Sequence, residues 1–189
     1  MRVVAGEARG RRLVTPEGRD TRPTLDRVRE ALFNALGSLD AVDGAQVLDL
    51  FAGSGALGIE ALSRGAAHAT FVDTDHAARR AIAQNLAATG LAGRAEVVAA
   101  DAAQHLTRHA EGSGPAYDLV LLDPPYATAD ETWRALLEQV AAVAPAGVVV
   151  VESDREVAAP EGWHALREKR YGGTLVNVLR TPSLPSELS

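Results

Sequence analysis

Four aspartates stand where apolar, strand-forming runs give out: Asp49 in "VLDLFAGSG", Asp73 in "FVDTD", Asp101 in "VVAAD" and Asp123 in "LVLLDPPY". Carboxylates gathered along one rim repel a phosphate and attract a cation, at a few kcal/mol per close pair in partly screened surroundings. Between the first two lie Gly53, Gly55 and Gly58, which meet the G-x-G-x-x-G pattern after a strand, with Asp73 about 20 residues downstream as in a nicotinamide-binding fold. Alone, that motif is a weak signal, and the acidic rim argues against a pyrophosphate at this turn.

A ligand carrying an ammonium, a sulfonium and ribose hydroxyls suits the rim better, and S-adenosylmethionine has that make-up. The glycines allow the backbone to approach the ligand without a Cβ in the way, and the helix start after Gly55 can face a carboxylate. Asp49 is then expected to neutralise the ammonium, Asp73 to accept from the ribose hydroxyls and Asp101 from the adenine amine. The bland alternative for each acid is a turn residue or helix cap.

"DPPY", Asp123 to Tyr126, fits a second task. A nucleobase amine is a poor nucleophile because its lone pair is delocalised into the ring, so its hydrogens must be held by acceptors while the nitrogen is aimed at a methyl group. Asp123 can accept one N–H and the carbonyl of Pro124 the other; Pro125 fixes the bend; Tyr126 can stack on an extracted base for about 1–3 kcal/mol. In-line transfer between atoms held about 3–3.5 Å apart relies on positioning and desolvation and requires no metal.

The elements that must hold these residues can be read from periodicity. "RVVAGEARGRRLVTP" reads as a small N-terminal hairpin around a glycine-punctuated turn, followed by the loop "EGRDTRP". Val28, Ala31, Leu32, Ala35 and Leu36 recur at helical spacing and predict a helix over Leu25 to Leu36, capped by Thr24, with Asp26 in its first turn. Four strand-and-helix alternations follow. Their strands, "QVLDLFA", "ATFVD", "AEVVAA" and "YDLVLLD", are nearly continuous apolar runs, as expected where helices cover both faces of a parallel sheet. "GVVVVES" adds a strand, and "WHALREKRY" and "TLVNVLR" across "GG" form an antiparallel pair. The expected fold is α/β and Rossmann-like: a mostly parallel seven-stranded sheet with an antiparallel C-terminal strand, helices on both faces and the small hairpin in front. The expected layout is a basic extension over 1–23, the catalytic domain over 24–181 and a frayed tail over 182–189.

Composition narrows the classes further. The 189 residues, 47% of them hydrophobic, suffice for one domain with a substantial core. No cysteine is present, which removes disulfides, iron–sulfur clusters and thiolate zinc sites. The longest apolar run, Val140 to Val151, is short and broken by Pro145 and Gly147, so a soluble protein is expected. A net charge of −6 is wrong for a protein that coats nucleic acid with its whole surface. The charge is uneven, however: arginines crowd the first 22 residues, and Arg167, Lys169 and Arg170 form a second basic group. His105 and His109, spaced i, i+4, lack a third ligand cluster and read as solvated; Trp133 and Trp163 read as packing residues; Asn34 either approaches the cofactor or faces solvent.

Taken together, "RVVAGEARGRRL", "TRPTLDRVREALFNAL", "VLDLFAGSGALGIEALSRGA", "FVDTD", "LVLLDPPY" and "YGGT" resemble the RsmD family of 16S ribosomal RNA guanine-N2 methyltransferases, within the class I S-adenosylmethionine-dependent group. The resemblance spans nearly the whole chain. It implies methylation of the N2 amine of one guanine, guanine 966 in the family, in 16S rRNA of the small ribosomal subunit or its assembly intermediate. It also implies S-adenosyl-L-methionine as donor, S-adenosyl-L-homocysteine as product, no metal, no membrane, a monomer and a cytoplasmic location. Asp49, Phe51, Gly53, Gly55, Asp73 and Asp101 form the implied cofactor set, and Asp123, Pro124, Pro125 and Tyr126 the catalytic set. Arg9, Arg11, Arg12, Arg22 and Arg27 are the candidates for holding RNA phosphates. "DPPY" is shared with enzymes that methylate adenine N6 in DNA, so a DNA or protein-directed methyltransferase is the competing enzyme reading; the first two segments, and the lack of a target-recognition insertion, favour RNA. A non-catalytic dinucleotide-binding domain is disfavoured by the acidic rim and by "DPPY".

Overall fold

The computed structural model describes residues 1–16, 23–112, 114–124 and 128–183, with the backbone alone for 23–25. Among the described residues, five α-helices and seven strands follow one another as α1 (Pro23–Ser38), β1 (Gln46–Leu50), α2 (Ala56–Ser63), β2 (His68–Val72), α3 (His76–Thr89), β3 (Ala95–Val98), α4 (Ala102–Glu111), β4 (Leu119–Leu122), α5 (Asp130–Val143), β5 (Val148–Ser153), β6 (His164–Tyr171) and β7 (Thr174–Arg180). They build one seven-stranded sheet in the order β3-β2-β1-β4-β5-β7-β6. β1 to β5 are parallel to one another; β7 is antiparallel to β5 and to β6. The strand order reverses between β1 and β4, and a ligand crevice in an open α/β sheet forms beyond the carboxyl ends of the strands at such a reversal.

Alternation along the central strands divides the core in two. Val47, Leu119, Leu121, Val148 and Val150 face Leu32, Phe33 and Leu36 of α1, Ile59 and Leu62 of α2 and Ile82 and Leu86 of α3. Leu48, Leu50, Val120, Leu122, Val149 and Val151 face Leu106 of α4 and Trp133, Leu137 and Val140 of α5. Two covered faces explain why these strands read as unbroken apolar runs. Trp133 is a packing residue, as expected, and Trp163 packs against the second core. β6, at the sheet edge, is exposed along nearly its whole length and carries Arg167, Lys169 and Arg170, charges that discourage edge-to-edge pairing.

Element boundaries differ from the sequence reading in a few places. α1 starts at Pro23 rather than Leu25, so Thr24 lies inside the first turn and is not the cap; proline suits the first helical position because its missing N–H is an orphan there anyway. The hairpin is smaller than expected. A single bridge joins Arg2 to Arg12, supported by bonds from the Val3 N–H to the Arg11 carbonyl and from the Leu13 N–H to the Met1 carbonyl. The arm is held by the core instead: Val3, Ala8 and Leu13 are buried with α1, α2 and the sheet. At the other end, the Thr181 hydroxyl donates to the Ala144 carbonyl and the Ala146 N–H to the Pro182 carbonyl, so the chain is pinned through 182. Residues 184–189 of the expected tail lie outside the described residues.

Candidate active site

Pairing register explains how three acids meet. β1, β4 and β5 are neighbours, with Asp49 opposite Leu121 and Leu121 opposite Val150. Side chains two residues apart share a sheet face, so Val47–Asp49, Leu119–Leu121–Asp123 and Val148–Val150–Glu152 are three in-phase rows that run from the core to the cavity at the strand ends. Asp49, Asp123 and Glu152 accordingly line one cavity of about 200 Å³, together with Arg29 and Val28 from α1, Phe51 to Ser54 from the turn after β1, Ala56 and Leu57 from α2, and Met1, Thr15 and Pro16 from the arm.

The glycine turn is built from left-handed residues. Phe51, Gly53 and Gly55 have φ of 60°, 57° and 74°. Phe51 is not a glycine, and a bulky side chain held in that region stores about 1–2 kcal/mol of strain, a cost typical of a backbone shaped around a ligand. Two acids hold the turn. Asp49, 2% exposed, accepts from the Gly58 N–H at 2.9 Å. Asp73 accepts from the Gly53 N–H at 2.8 Å and from the Asp75 N–H at 2.8 Å. Gly58 leaves no room for a side chain unless its neighbours shift: a Cβ there would lie 2.4 Å from Cε1 of Phe71 and 3.0 Å from Oδ2 of Asp49.

The charges in the cavity are under tension. Burial pushes the Asp49 carboxyl well above the usual carboxylate range; the Gly58 N–H pulls it back, and Asp123 and Asp73 push it further up. Glu152 is raised to about 8, first by burial, then by Asp123 and Asp49, with Arg29 opposing. A buried acid is easier to ionise beside a cation, so these groups favour a positively charged ligand. The residues therefore fit S-adenosylmethionine: a strained left-handed turn over Phe51, Gly53 and Gly55, and acids in the cavity beside it.

Not every expected site residue lies in the cavity. Asp101 is exposed and caps α4, accepting from the Ala103 N–H at 2.9 Å and the Gln104 N–H at 3.4 Å. Pro124 is buried and Asp123 stands exposed at the cavity rim, whereas Pro125 and Tyr126 lie outside the described residues. Arg9, Arg11, Arg12 and Arg27 are all exposed, the first three on the arm and the last on α1; Arg22 lies outside the described residues. Asn34 faces solvent, accepting from Arg64. His105 and His109 are half-buried rather than fully solvated, and both sit within hydrogen-bond reach of the Tyr117 hydroxyl, His109 also stacking on the Tyr117 ring. Burial and the neighbouring His109 lower the His105 pKa.

Four residues carry the site without having been singled out in the sequence. Glu60, fully buried in α2, accepts from the Val4 N–H at 2.8 Å and the Ala5 N–H at 3.0 Å and pairs with Arg29 and Arg64. Arg29, 3% exposed, also donates to the Arg2 carbonyl and to Asp26. Asn85, 1% exposed in α3, grips Val14 of the arm through its N–H and its carbonyl and donates to the Ser54 carbonyl of the glycine turn. Glu152 is the fourth, and its alternation phase with Val148 and Val150 was the available signal.

A family profile described as "Conserved hypothetical protein 95" matches residues 1–180. Among curated proteins, ribosomal RNA small subunit methyltransferase D of Escherichia coli K12 is 42% identical over 177 residues, covering 91% of this chain and 85% of that protein. The chain belongs to the RsmD family of rRNA methyltransferases. The Haemophilus influenzae member is 36% identical over 176 residues, 91% of this chain and 89% of its own. Among solved structures, a methyltransferase of E. coli superposes with a TM-score of 0.80 at 39% identity, covering 97% of this chain and 98% of its own. The expected Rossmann-like class I fold, with its mostly parallel seven-stranded sheet, is thus the fold of an RsmD-family protein.

Proposed function

We propose that the protein methylates the exocyclic N2 amine of one guanine of 16S rRNA, guanine 966 in the family's usual target, with S-adenosylmethionine as donor. The observation that carries this reading is the convergence of Asp49, Asp123 and Glu152 on one cavity beside the strained glycine turn. The donor supplies an activated methyl group; the chain supplies a place for it and for the base. Gly53 and Ser54 approach through backbone, Asp49 and Asp73 fix the turn and offer their remaining lone pairs to the ammonium and ribose, and Phe51 and Leu57 line the cavity with apolar surface. Asp101 keeps an oxygen for the adenine amine beyond the one that caps α4. Asp123 and the Pro124 carbonyl accept the two N–H bonds of the target amine, and Tyr126 is the ring the motif provides for stacking.

The arm supports RNA as the substrate class. Arg9, Arg11 and Arg12 face solvent on the same arm whose Met1, Thr15 and Pro16 line the cavity, which ties the candidate phosphate-binding residues to the site by chain connectivity. A target guanine has to leave its stack to enter, which an RNA loop permits. Two experiments test the reading. Labelled donor with small subunits, naked 16S rRNA or duplex DNA should label guanine N2 in ribosomal RNA; label confined to DNA overturns it. Asp123→Ala should abolish transfer and leave donor binding by calorimetry within about threefold, whereas equal loss of both would make Asp123 a donor-binding or structural residue.

A further inference from the structure

We propose that Glu152 is the group that receives the proton released by the target amine, with Asp123 beside it as the acceptor that orients that amine. The inference rests on the amine-methylation reading above and assigns a role to a residue that reading does not need for binding.

The argument starts from placement. Glu152 ends the row Val148–Val150–Glu152, next to the row Leu119–Leu121–Asp123, because Leu121 pairs with Val150 and Leu122 with Val151. Both carboxyl groups line the same cavity wall, but their surroundings differ: Asp123 is exposed at the rim, while Glu152 is the more withdrawn from water. The charged groups facing Glu152 are Asp123 from the end of β4, Asp49 from β1 and Arg29 from α1. From β7 its register partner is the apolar Val176, and the arm contributes Met1, Thr15 and Pro16 to the cavity. Arg29 is already engaged by Glu60, Asp26 and the Arg2 carbonyl, so it opposes the acids without neutralising Glu152 by a direct pair.

Methylation of a neutral amine must dispose of one proton. The N2–CH3 bond forms as the S–CH3 bond breaks with its electron pair left on sulfur, and an N2–H bond breaks with its pair left on nitrogen, its proton passing to a Glu152 oxygen. An ordinary carboxylate is a weak acceptor for this purpose; a carboxyl whose pKa lies near the working pH is a better one. Burial beside two other acids gives Glu152 that property, raising it to about 8. Glu152 ionises more readily while a cation occupies the cavity and regains proton affinity once that charge is gone, so its basicity returns when the amine's proton is released. Afterwards the proton leaves to solvent past Asp123 at the rim.

The test compares wild type, Glu152→Gln and Glu152→Asp. Carbon-13 NMR of labelled glutamate carboxyls, with the Glu152 resonance assigned by its loss in E152Q, should show a titration near pH 8 in the protein alone and a lower midpoint with a sulfonium analogue of the donor. In steady state E152Q should lose about 100-fold or more in kcat, the usual contribution of a positioned base, with both KM values within about threefold. Wild-type kcat should rise with pH below the Glu152 midpoint, the E152Q profile should be flat, and E152D should recover part of the rate. Wild-type kcat and an unchanged pH profile in E152Q would overturn the inference while the amine-methylation reading stands. Absence of guanine-N2 methylation by the wild type would remove that reading and the inference with it.

Discussion

Glu60→Ala is the substitution expected to separate the arm from the site. Glu60 is fully buried and accepts from two arm N–H groups, Val4 and Ala5, while pairing with Arg29 at 3.4 Å and Arg64 at 2.8 Å. Removing one partner of a buried pair costs about 3–5 kcal/mol because the other charge stays buried. Arg29 keeps Asp26 and the Arg2 carbonyl, which places the expected cost near the lower end, at about 3 kcal/mol. With a urea m-value of about 2 kcal/mol/M for a chain of this size, the unfolding midpoint should fall by about 1.5 M. Hydrogen exchange should localise the damage: the Val4, Ala5 and Ala8 amides should lose protection by more than those of β1 and β4. Glu60→Gln, which retains one acceptor oxygen, should fall between. A midpoint shift below about 0.5 M, or uniform exchange across arm and sheet, would refute the idea that this carboxylate is what fastens the arm.

Other consequences are measurable. Gly58→Ala drives a methyl group into the fully buried Phe71 ring and against Asp49, and overpacking of this kind costs about 1–3 kcal/mol; thermal unfolding should show the loss, and calorimetry a weaker hold on the donor, because the same shift disturbs the Asp49–Gly58 bond. Reversing Arg9, Arg11 and Arg12 to glutamate should weaken RNA binding and flatten its dependence on salt while leaving unfolding within about 0.5 kcal/mol, since all three are exposed. The pH dependence of stability has a definite sign. Glu152 lies at about 8 in the folded protein against an ordinary 4.5, so the stability it lends is fully present below about 4.5 and is lost as pH rises through about 8. Glu152→Gln should therefore be more stable than wild type by about 3 kcal/mol at pH 7, converging with it near pH 4, and a wild type that is the more stable at pH 8 would contradict that sign.

Legibility followed physical range. Strands, helices and the acids at strand ends depend on patterns within a few residues, and "VLDLFAGSG" and "LVLLDPPY" carry those patterns openly. The strand-and-helix alternation predicted a parallel sheet but not its strand order, so the reversal between β1 and β4 that gives the crevice came from the structure. What the sequence did not expose were groups whose role depends on partners far along the chain. Glu60 touches Val4 and Ala5 across 56 and 55 residues, and Asn85 touches Val14 across 71. On a helix, Glu60 and Asn85 look like solvent-facing residues, since nothing local announces a buried acceptor. For Asp101 the sequence offered two readings, a ligand contact or a helix cap, and the structure shows the cap on α4. His105 and His109 read as solvated for want of a third ligand cluster, but Tyr117, a later residue at the start of the "YDLVLLD" run, has its hydroxyl within hydrogen-bond reach of both half-buried rings.

The arm deserves its place in the site on energetic grounds. A short hairpin with a single bridge has too few contacts to be stable alone, so its conformation is supplied by the catalytic domain. Glu60 and Ser63 of α2 hold its first half, Ser63 accepting from the Glu7 and Ala8 N–H groups, and Asn85 of α3 holds its second. Asn85 donates from the same amide nitrogen to Val14 of the arm and to Ser54 of the glycine turn. One buried side chain thus joins the segment that carries the exposed arginines to the turn that is shaped for the donor. If donor binding tightens that turn, Asn85 transmits the ordering to the arm, and RNA held on the arm must favour the donor in equal measure, because coupling between two binding events is reciprocal.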